Sequence, residues 1–510
     1  MPSKDAARPL VIDSAATSIE TICAIARDGA NVAIGQEAAA SIDAAYACLV
    51  RHVEGGEAIY GVSTGLGAAV DTRIDPTDSA GQYRIPRPRA VGVGRLAAAA
   101  QVRAMIAARI ARFCLGYSGV SSPVVQRLAD MLNCGIHPDV PMTGSIGEAD
   151  LAPLAHIALV LTGEGTITLQ DGRVVCGAEA FDAAGLTLPT FGIKDGLSLI
   201  SSNAASVGLA CLLLQDIKHV LDAHVGAVAL SFEGFRASMT PLDPLATRLR
   251  PAPGQAEAAL AIRSFLEGGD LTGANAARRL QDPLSLRCAP SVIGAALKAL
   301  KAAWAATELE LRSSDDNPAV LASEDLILPT GNFDATHMAL AFDTLGLSLA
   351  RVAAMAAERM MKLLSPALSD LPRFLAPQAP GANGFGALQK TIAALTAEIS
   401  HLAMPMPFVV TPVADRVEDY ASLAMSVVDK SARVIEKLRY LTAIEMIVAA
   451  RAIDLRGEIK LGGEGQALFN AVRSIVPPLD MDRSPSADIY ALAERIEAGT
   501  LLIRPVLEMG

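Results

Sequence analysis

Apolar residues recur every three or four positions through much of the chain, a spacing that places them on one face of an α-helix. Residues 19–26 and 44–49 follow this spacing, and longer apolar stretches cover residues 203–235 and 335–364. A long stripe rich in Ala and Met, such as the one in 335–364, is typical of the core of a helix bundle. Residues 166–190 instead combine Thr, Val and Gly, and apolar and polar residues alternate there in a few places. This composition predicts a small irregular insertion. The pattern therefore predicts a mainly all-α protein.

Composition supports helix packing and argues against one class of partner. The 510-residue chain is 51% hydrophobic but only 4% aromatic. Its apolar content is mostly Ala, Leu, Val and Ile, which suits closely packed helices better than a sheet rich in aromatic residues. The net charge of −11 is spread along the chain without a basic block. This distribution argues against a nucleic-acid partner.

The cysteines and the N-terminus indicate the compartment. Seven cysteines lie far apart with no Cys-x-x-Cys pair, which fits a reducing cytoplasm. The first residues lack the basic start and apolar core of a secretory signal. Residues 196–215 carry no charge, but they contain four serines and one asparagine, a poor composition for a membrane span. We therefore expect a cytoplasmic protein without a membrane partner, and the absence of metal-binding motifs predicts no metal.

A glycine-rich octapeptide, Tyr60-Gly61-Val62-Ser63-Thr64-Gly65-Leu66-Gly67, predicts an irregular loop. Tyr60 is a candidate general base, and the alternative is a half-buried tyrosine that anchors the turn. A tyrosine with an ordinary pKa of about 10 is a poor base at neutral pH unless nearby cations or donors stabilise its phenolate. Its activity would therefore depend on partners elsewhere in the chain.

The stretch from Gly144 to His156 reads Gly-Ser-Ile-Gly-Glu-Ala-Asp-Leu-Ala-Pro-Leu-Ala-His. It resembles the signature of the aromatic amino-acid ammonia-lyase family, in which Gly-Ser-Val-Gly is followed by Ala-Ser-Gly and then Asp-Leu-Ala-Pro-Leu-Ala-His. In that family, Ala-Ser-Gly cyclises and dehydrates to the electrophilic methylidene-imidazolone (MIO) group. Here Glu148-Ala149 stands where the three residues are expected.

The cyclisation requires a serine that loses water and a glycine amide nitrogen that attacks the carbonyl two residues back. Glu148, Ala149 and Asp150 offer neither residue. Ser145 does not replace the missing serine, because Ile146 rather than Gly follows it. We therefore predict that MIO does not form and that the protein has no cofactor. A site rebuilt around the acid Glu148 is the corresponding hypothesis.

Other segments carry the same resemblance and imply roles for their residues. The octapeptide is similar to the family's Tyr-Gly-Val-Asn-Thr-Gly-Phe-Gly, whose tyrosine is the general base on a mobile loop. Residues 281–290, Gln-Asp-Pro-Leu-Ser-Leu-Arg-Cys-Ala-Pro, place Arg287 where the family binds the substrate carboxylate, a task suited to guanidinium geometry. Val-Glu-Asp-Tyr at 417–420 places Glu418 where histidine-type members contact the substrate side chain. A structural ion pair is the alternative for Arg287, and a solvated or capping acid is the alternative for Glu418.

Several positions depart from the family pattern. Ser201 replaces the asparagine that holds the prosthetic group, and Leu284 replaces a second catalytic tyrosine. Gly331-Asn332-Phe333 retains the phenylalanine on the substrate side, so Asn332 and Phe333 are substrate-binding candidates with Ser201, Leu284 and Glu148.

Arg89 is the remaining substrate-binding candidate. The selectivity pair that faces the substrate side chain aligns with Pro88-Arg89. A fixed cation with planar donors there favours a substrate with a second anionic or strongly hydrogen-bonding group. The alternative is that Arg89 pairs internally with Glu148 or Glu418.

The resemblance extends from about residue 10 to the C-terminus. It implies an ammonia-lyase-like central bundle of long helices with a smaller mixed N-terminal region. We assign residues 1–200 to an N-terminal region with the Tyr60 loop and the altered MIO segment, 201–475 to the central bundle and 476–510 to a C-terminal tail. The family forms homotetramers whose active sites draw residues from three chains, so Tyr60, Arg287 and Glu418 are expected to meet between subunits.

Two functions follow from these residues. The first is an MIO-independent lyase or isomerase that acts next to a carboxylate on a small polar or anionic substrate, without ordinary phenylalanine or histidine ammonia-lyase activity. The second is a catalytically silent scaffold, or a partner subunit of an MIO-bearing paralogue. The changes at Leu284 and Ser201, together with the missing triad, favour the second function. The first is favoured by the retained Tyr60, Arg287, Phe333 and Glu418.

Overall fold

The structure is a computed structural model of the 510-residue chain. It describes residues 8–13, 17–407, 411–501 and 507.

The strands are short and pair in twos. They are β1 (Leu10–Ile12), β2 (Val32–Ile34), β3 (Val93–Leu96), β4 (Pro141–Thr143), β5 (Thr166–Thr168), β6 (Val174–Cys176), β7 (Ala319–Leu321) and β8 (Leu326–Leu328). The pair β1–β2 is parallel, and β3–β4, β5–β6 and β7–β8 are antiparallel. Three of these pairs precede the long helices, as expected for a smaller mixed N-terminal region.

Helices form most of the described chain. Those of the first half are α1 (Ile19–Arg27), α2 (Gln36–Glu54), α3 (Ser79–Arg84), α4 (Ala99–Phe113), α5 (Ser122–Cys134), α6 (Leu151–Leu161), α7 (Gly177–Ala183), α8 (Asp195–Ile200), α9 (Ala204–Phe235) and α10 (Pro244–Leu249). Those of the second half are α11 (Gln255–Leu266), α12 (Leu284–Arg287), α13 (Ala289–Leu311), α14 (Thr336–Leu363), α15 (Pro366–Ser369), α16 (Leu388–Leu402), α17 (Ala424–Leu455), α18 (Gly463–Ile475) and α19 (Ser486–Glu497). The prediction of a mainly helical fold with long helices is confirmed.

The longest helices match the apolar stretches of the sequence. Helix α9 has 32 residues, α13 has 23, α14 has 28 and α17 has 32. The segment 166–190, predicted to be irregular, contains the β5–β6 hairpin followed by α7. Its alternation is therefore the signal of a regular hairpin, which the three-residue strands made hard to recognise in the sequence.

The chain folds into two compact units. Unit 1 comprises Met1–Leu213, Trp304–Leu340 and Met406–Asp429, and unit 2 comprises Leu214–Ala303, Ala341–Pro405 and Lys430–Gly510. Each unit contains segments that are distant in sequence.

The core of unit 1 contains charged side chains on α4. Arg109 donates to Asp316 at 2.9 Å, and Arg112 forms an ion pair with Asp315. Both arginines and both aspartates are buried. Asp315 also accepts a hydrogen bond from the Ser202 hydroxyl at 2.8 Å and another from the backbone N–H of Asn203. Opposite charge and several donors together offset the desolvation of these groups.

A second buried network joins three long helices within unit 2. Arg359 on α14 donates to the two oxygens of Glu445 on α17 at 2.5 and 2.9 Å. The Ser231 hydroxyl on α9 donates to the same carboxylate at 2.8 Å. His224 lies beside Arg359 at 3.0 Å, and burial lowers the pKa of this histidine to about 4. The imidazole is therefore neutral at neutral pH, as its contact with a guanidinium requires.

Two helical segments, Asp195–Phe235 and Thr336–Leu363, are long and apolar enough to cross a membrane by length and composition alone. The most apolar window of the first is 94% buried within the fold, and that of the second is 50% buried. Buried core helices have the same composition, so these two segments are weak evidence for a membrane span.

Candidate active site

The loop that carries Tyr60 is anchored on both sides of the tyrosine. Ile59 and Val62 are buried in a small apolar core with Cys48 and Leu49 of α2. The hydroxyl of Tyr60 accepts a hydrogen bond from the backbone N–H of Gly67 at 2.8 Å. The buried side chains of Ile59 and Val62 thus anchor the loop around Tyr60. The phenol ring of Tyr60 is half-buried, and its hydroxyl oxygen is hydrogen-bonded to the backbone.

The glycine that follows Tyr60 is required by the local geometry. Gly61 has a φ of +69°, and a Cβ atom there would lie 2.4 Å from Leu197 Cδ2 and 2.6 Å from Leu66 Cδ2. A larger residue would therefore be strained and would also displace two apolar side chains.

The altered signature, residues 144–150, is an ordered peptide loop that ends at the start of α6. The N–H of Asp150 donates to the carbonyl of Ser202 at 2.7 Å. The Asp150 carboxylate accepts from Ser206 N–H at 2.6 Å and from the Ser145 hydroxyl at 2.8 Å. Ala149 adopts a left-handed conformation with φ +53°, which is uncommon for a residue with a Cβ atom.

A second loop, residues 411–423, is bonded to the signature. Leu423 N–H donates to Ile146 O at 2.9 Å, the Ser422 hydroxyl to Gly147 O at 2.7 Å and Ser422 N–H to Glu148 Oε1 at 2.9 Å. Gly147 has φ +82°, and a Cβ atom there would lie 2.4 Å from Ser422 Oγ. These contacts fix the carboxyl group of Glu148 relative to both loops.

A cavity of about 460 Å³ in unit 1 is lined by both loops and by the loop of Tyr60. Its polar lining residues are Tyr60, Arg89, Glu148, Ser201, Asn317 and Glu418. Its larger apolar lining residues are Leu66, Val70, Leu151, Leu197, Ile200, Phe333 and Val417. A volume of this order suits a small molecule.

Glu148 is the strongly perturbed acid of this cavity. Burial raises its pKa to about 7, and the negative charges of Asp334 and Glu418 act in the same direction. The hydrogen bond from Ser422 N–H opposes this rise but is outweighed. The carboxyl group is therefore divided between its protonated and ionised forms at neutral pH, as is typical of acids that function in proton transfer or charge binding.

Arg89 is the cation in the lining. It lies on a 3₁₀ turn, Arg87–Arg89, is half-buried, and donates to the carbonyl of Ile85 at 3.0 Å. Burial lowers its pKa, whereas negative charge on Tyr60 or Glu418 favours its charged form. Among the described residues it forms no ion pair with Glu148 or Glu418. The internal pairing considered from the sequence is thus not present.

Comparison with known proteins assigns the chain to a family. The sequence matches the family model for "Aromatic amino acid lyase" over residues 17–474. The chain belongs to the aromatic amino acid lyase family. It is 34% identical to the histidine ammonia-lyase of Myxococcus xanthus over 496 residues, which cover 97% of each protein.

Solved structures of lyase and aminomutase relatives share the fold. The ergothioneine-degrading ergothionase of Treponema denticola, solved with desmethyl-ergothioneine sulfonic acid, matches with a TM-score of 0.91 and 31% identity, covering 97% of this chain and 100% of that one. The tyrosine aminomutase of Streptomyces globisporus matches with a TM-score of 0.90 and 30% identity, covering 97% of each chain. The aromatic amino acid lyase fold therefore extends over nearly the entire chain.

The cavity of this member of the aromatic amino acid lyase family collects most of the site residues proposed from the sequence. Tyr60, Arg89, Glu148, Ser201 and Glu418 all line it, together with Phe333. Whether Glu148 reaches the cavity was open from the sequence alone, and the structure places it there. The roles of these residues stay predictions.

Three further candidates lie elsewhere. Asn332 is exposed beside Phe333 and does not line the cavity. Arg287 and Leu284 belong to unit 2, where Arg287 donates to Gln281 at 3.1 Å and Leu284 is 61% exposed. In the part of the chain that the structure describes, Arg287 forms no ion pair, and its Nε atom is buried without a hydrogen-bond partner. The structural ion pair considered for Arg287 is thus not found.

Two important neighbours of the site were not recognised from the sequence. Ser422 supplies the N–H that fixes Glu148, and Asn203 donates to the carbonyl of Phe333 at 2.6 Å. Asn203 lies two positions after the candidate Ser201. Ser422 had no such signal, because its function depends on a backbone group and on the fold of the 411–423 loop.

Proposed function

We propose that this chain is an MIO-independent lyase or isomerase that acts next to the carboxylate of a small polar or anionic substrate. The observation that carries the proposal is the joint presence of Tyr60, Arg89, Glu148 and Glu418 around one cavity. These side chains provide a proton acceptor, a cation and two acids, which are sufficient for proton transfer and substrate orientation.

The residues in the altered signature do not fit the prosthetic group of the family. No serine is available for dehydration between Glu148 and Asp150. The amide of Asp150, in place of a glycine amide, donates to Ser202 O, and its side chain is buried and bonded to Ser206. That amide is thus engaged in holding the start of α6. The chemistry proposed here does not pass through MIO.

In an elimination, Tyr60 in its phenolate form would take a proton from the carbon beside the one that bears the leaving group. The electron pair of that C–H bond would form the double bond, and the leaving group would depart with its own bonding pair. Arg287, by the family resemblance, would bind the carboxylate and stabilise developing negative charge. Without an electrophile, this reaction requires a more acidic C–H bond or a better leaving group than ammonia.

The ergothionase relative supplies a substrate consistent with this requirement. Ergothioneine carries a quaternary ammonium group next to its carboxylate, and such a group departs as a neutral amine without prior activation. A substrate with a comparable leaving group would suit the chain proposed here. The fold similarity over 97% of the chain supports including ergothioneine among the first compounds tested.

We expect purified protein to release neither cinnamate from phenylalanine nor urocanate from histidine, because neither substrate meets the requirement for a better leaving group or a more acidic C–H bond. Ultraviolet absorbance of each product gives the measurement. An MIO-containing histidine ammonia-lyase, assayed in parallel, is the positive control. Steady release of either product by the pure chain would contradict the proposal.

The substrate class can be searched by thermal stabilisation. A panel of small carboxylates, dicarboxylates and ergothioneine would be tested, since a ligand at about a hundred times its Kd adds roughly 2.7 kcal/mol to the free energy of unfolding. Each compound that stabilises the protein would then be assayed for turnover. Stabilising ligands that are never converted would favour the silent scaffold over the enzyme.

We further propose that the protein assembles as a homotetramer in which Tyr60 and Arg287 of one site come from different chains. Tyr60→Phe and Arg287→Ala should each be inactive, and co-expression of the two variants should restore activity. With random mixing, about half of the sites receive a native Tyr60 and about half receive a native Arg287. Both native residues therefore meet in about one quarter of the sites.

A mixture made from separately folded and purified homo-oligomers is the control, since it contains no mixed assemblies. Failure of co-expressed variants to recover any activity would show that both residues come from one chain.

A further inference from the structure

A cysteine, a histidine and an aspartate meet beside α2, away from the candidate active site. Cys48 and His52 are four residues apart on α2, so their side chains lie on the same face of the helix. Asp325 lies in the turn between β7 and β8. One potential ligand atom from each of the three residues lies within 4.8 Å of the other two. All three residues belong to unit 1, and none of them lines the cavity described above.

The separations between these atoms fit a tetrahedral zinc ion. Asp325 Oδ1 lies 3.6 Å from Cys48 Sγ and 3.7 Å from His52 Nε2. Zinc bonds of about 2.3 Å to sulfur and about 2.1 Å to nitrogen and oxygen, at tetrahedral angles, place the same pairs of atoms about 3.6 Å and about 3.4 Å apart. Only small movements of these side chains are therefore needed to bind one ion.

A fourth residue orients the histidine. His52 Nδ1 lies 2.8 Å from Glu57 Oε2, although the angle of this contact is not that of a hydrogen bond. The other ring nitrogen, Nε2, faces Asp325. A metal-bound histidine usually directs its second ring nitrogen to a carboxylate or a carbonyl, which favours the tautomer that binds the metal. The position of Glu57 thus leaves Nε2 as the atom available to a metal.

The contacts that compete with a metal are weak. Arg51 donates to Asp325 Oδ1 at 2.6 Å, but its side chain is 56% exposed and that of Asp325 is 63% exposed. Water and salt screen such a pair, which contributes little to stability. His52 Nε2 also lies 3.1 Å from the carbonyl oxygen of Asp325. Among the contacts described for Asp325 Oδ1 and His52 Nε2, a metal has to displace chiefly these two.

We propose that Cys48, His52 and Asp325 bind a zinc ion that joins α2 to the β7–β8 hairpin, with water as its fourth ligand. A thiolate and an imidazole favour zinc over magnesium and calcium, which prefer oxygen ligands. On binding, the S–H bond of Cys48 breaks, its electron pair binds the metal and the proton passes to solvent. Cys48 also packs in the apolar core beneath the Tyr60 loop, so zinc is expected to stabilise this part of unit 1.

The sequence alone predicted no metal because the cluster has no local motif. Cys48 and His52 form only a Cys-x-x-x-His pair, and Asp325 follows Cys48 by 277 positions. The fold of unit 1 brings the third ligand to this pair.

The test uses the full-length protein without a purification tag, reduced and stripped of metal by a chelator. Zinc is titrated in competition with a chromophoric chelator, and cobalt(II) is titrated separately as a spectroscopic probe. We expect about one zinc ion per chain. Cobalt(II) should give a near-ultraviolet charge-transfer band, because a thiolate is among the ligands, and zinc should raise the midpoint of thermal unfolding.

Variants of the ligands identify the site. Asp325→Asn and His52→Gln should each weaken zinc binding by at least about tenfold, an effect typical of losing even a residue that only orients a ligand. Asparagine tolerates the positive φ of +50° at position 325. Cys48→Ser should abolish the cobalt band. Arg51→Gln should instead strengthen zinc binding by a few-fold, because it removes the competing cation from Asp325.

Cys134→Ser is the matched control, since Cys134 is an exposed cysteine at the end of α5. It should leave zinc affinity and the cobalt band unchanged. Native protein that binds no zinc, or native affinity in both Asp325→Asn and His52→Gln, would overturn the inference. These two positions are not in the buried core, so both variants keep the test decisive if Cys48→Ser fails to fold. Zinc binding is measured without turnover, so a negative result would leave the lyase proposal standing.

Discussion

Replacing Tyr60 with phenylalanine is expected to lower turnover by roughly a hundred- to ten-thousand-fold, the contribution of a positioned general base. The substitution removes the only atom of the side chain that can accept a proton and keeps the ring. Binding should change far less. The lost hydrogen bond with Gly67 N–H costs about 0.5–1.5 kcal/mol at most, since it joins groups near a cavity that admits water.

Tyr83→Phe provides the matched control. The Tyr83 hydroxyl donates to Pro189 O at 3.0 Å and accepts from Phe191 N–H at 2.9 Å, and its ring stacks on Phe191. Tyr83 does not line the cavity. Its substitution should therefore leave kcat within a few-fold of the native value. Equal losses for both variants would indicate a structural effect and would argue against Tyr60 as the base.

Replacing Asp315 with alanine is expected to lower the free energy of unfolding by about 3 kcal/mol, the lower end of the usual cost of removing one partner of a buried ion pair, because Arg112 keeps a second acid, Glu310, at 3.2 Å. The change removes the ion pair with Arg112, whose side chain is fully buried. It also removes the acceptor for the Ser202 hydroxyl and for Asn203 N–H. Denaturant unfolding, or the half-life at elevated temperature if unfolding is irreversible, gives the measurement.

Asp171→Ala serves as the comparison for Asp315→Ala. Asp171 pairs with Arg173 at 2.7 Å in a turn where both side chains are exposed. Water and salt screen such a pair, so its loss should not change stability measurably. A small effect for Asp315→Ala as well would mean that the buried charges of α4 are compensated by water or by rearrangement.

The buried arginines show where sequence analysis reached its limit. Helix α4 contains Arg103, Arg109 and Arg112, which a helical pattern would place toward solvent, yet all three are buried. The acidic partners of Arg109 and Arg112, Asp316 and Asp315, are about 200 residues away in the chain. The sequence contained no local signal for the pairing of these aspartates with α4.

The candidate site was more accessible to prediction because its residues occur in recognisable motifs. Tyr60 and Phe333 lie in motifs that resemble those of the family. Glu148 was recognisable because it stands where the family has Ala-Ser-Gly. The long helices could be predicted because each corresponds to a long stretch of apolar residues. By contrast, the hydrogen bonds of Ser422 with the signature depend on backbone atoms of two loops 274 and 275 positions apart, and backbone donors leave no mark in an amino-acid pattern.

The two-residue segment Glu148-Ala149 also bears on how this protein can change. On its N-terminal side lies Gly147, which packs against Ser422. On its C-terminal side lies Asp150, whose amide and carboxylate both form hydrogen bonds. Point substitutions can convert these two residues to Ala-Ser but cannot supply a glycine ahead of Asp150. Return to the family's triad would need an inserted residue in a loop that is held at both ends. Point substitutions alone therefore cannot create the family's three-residue motif between Gly147 and Asp150.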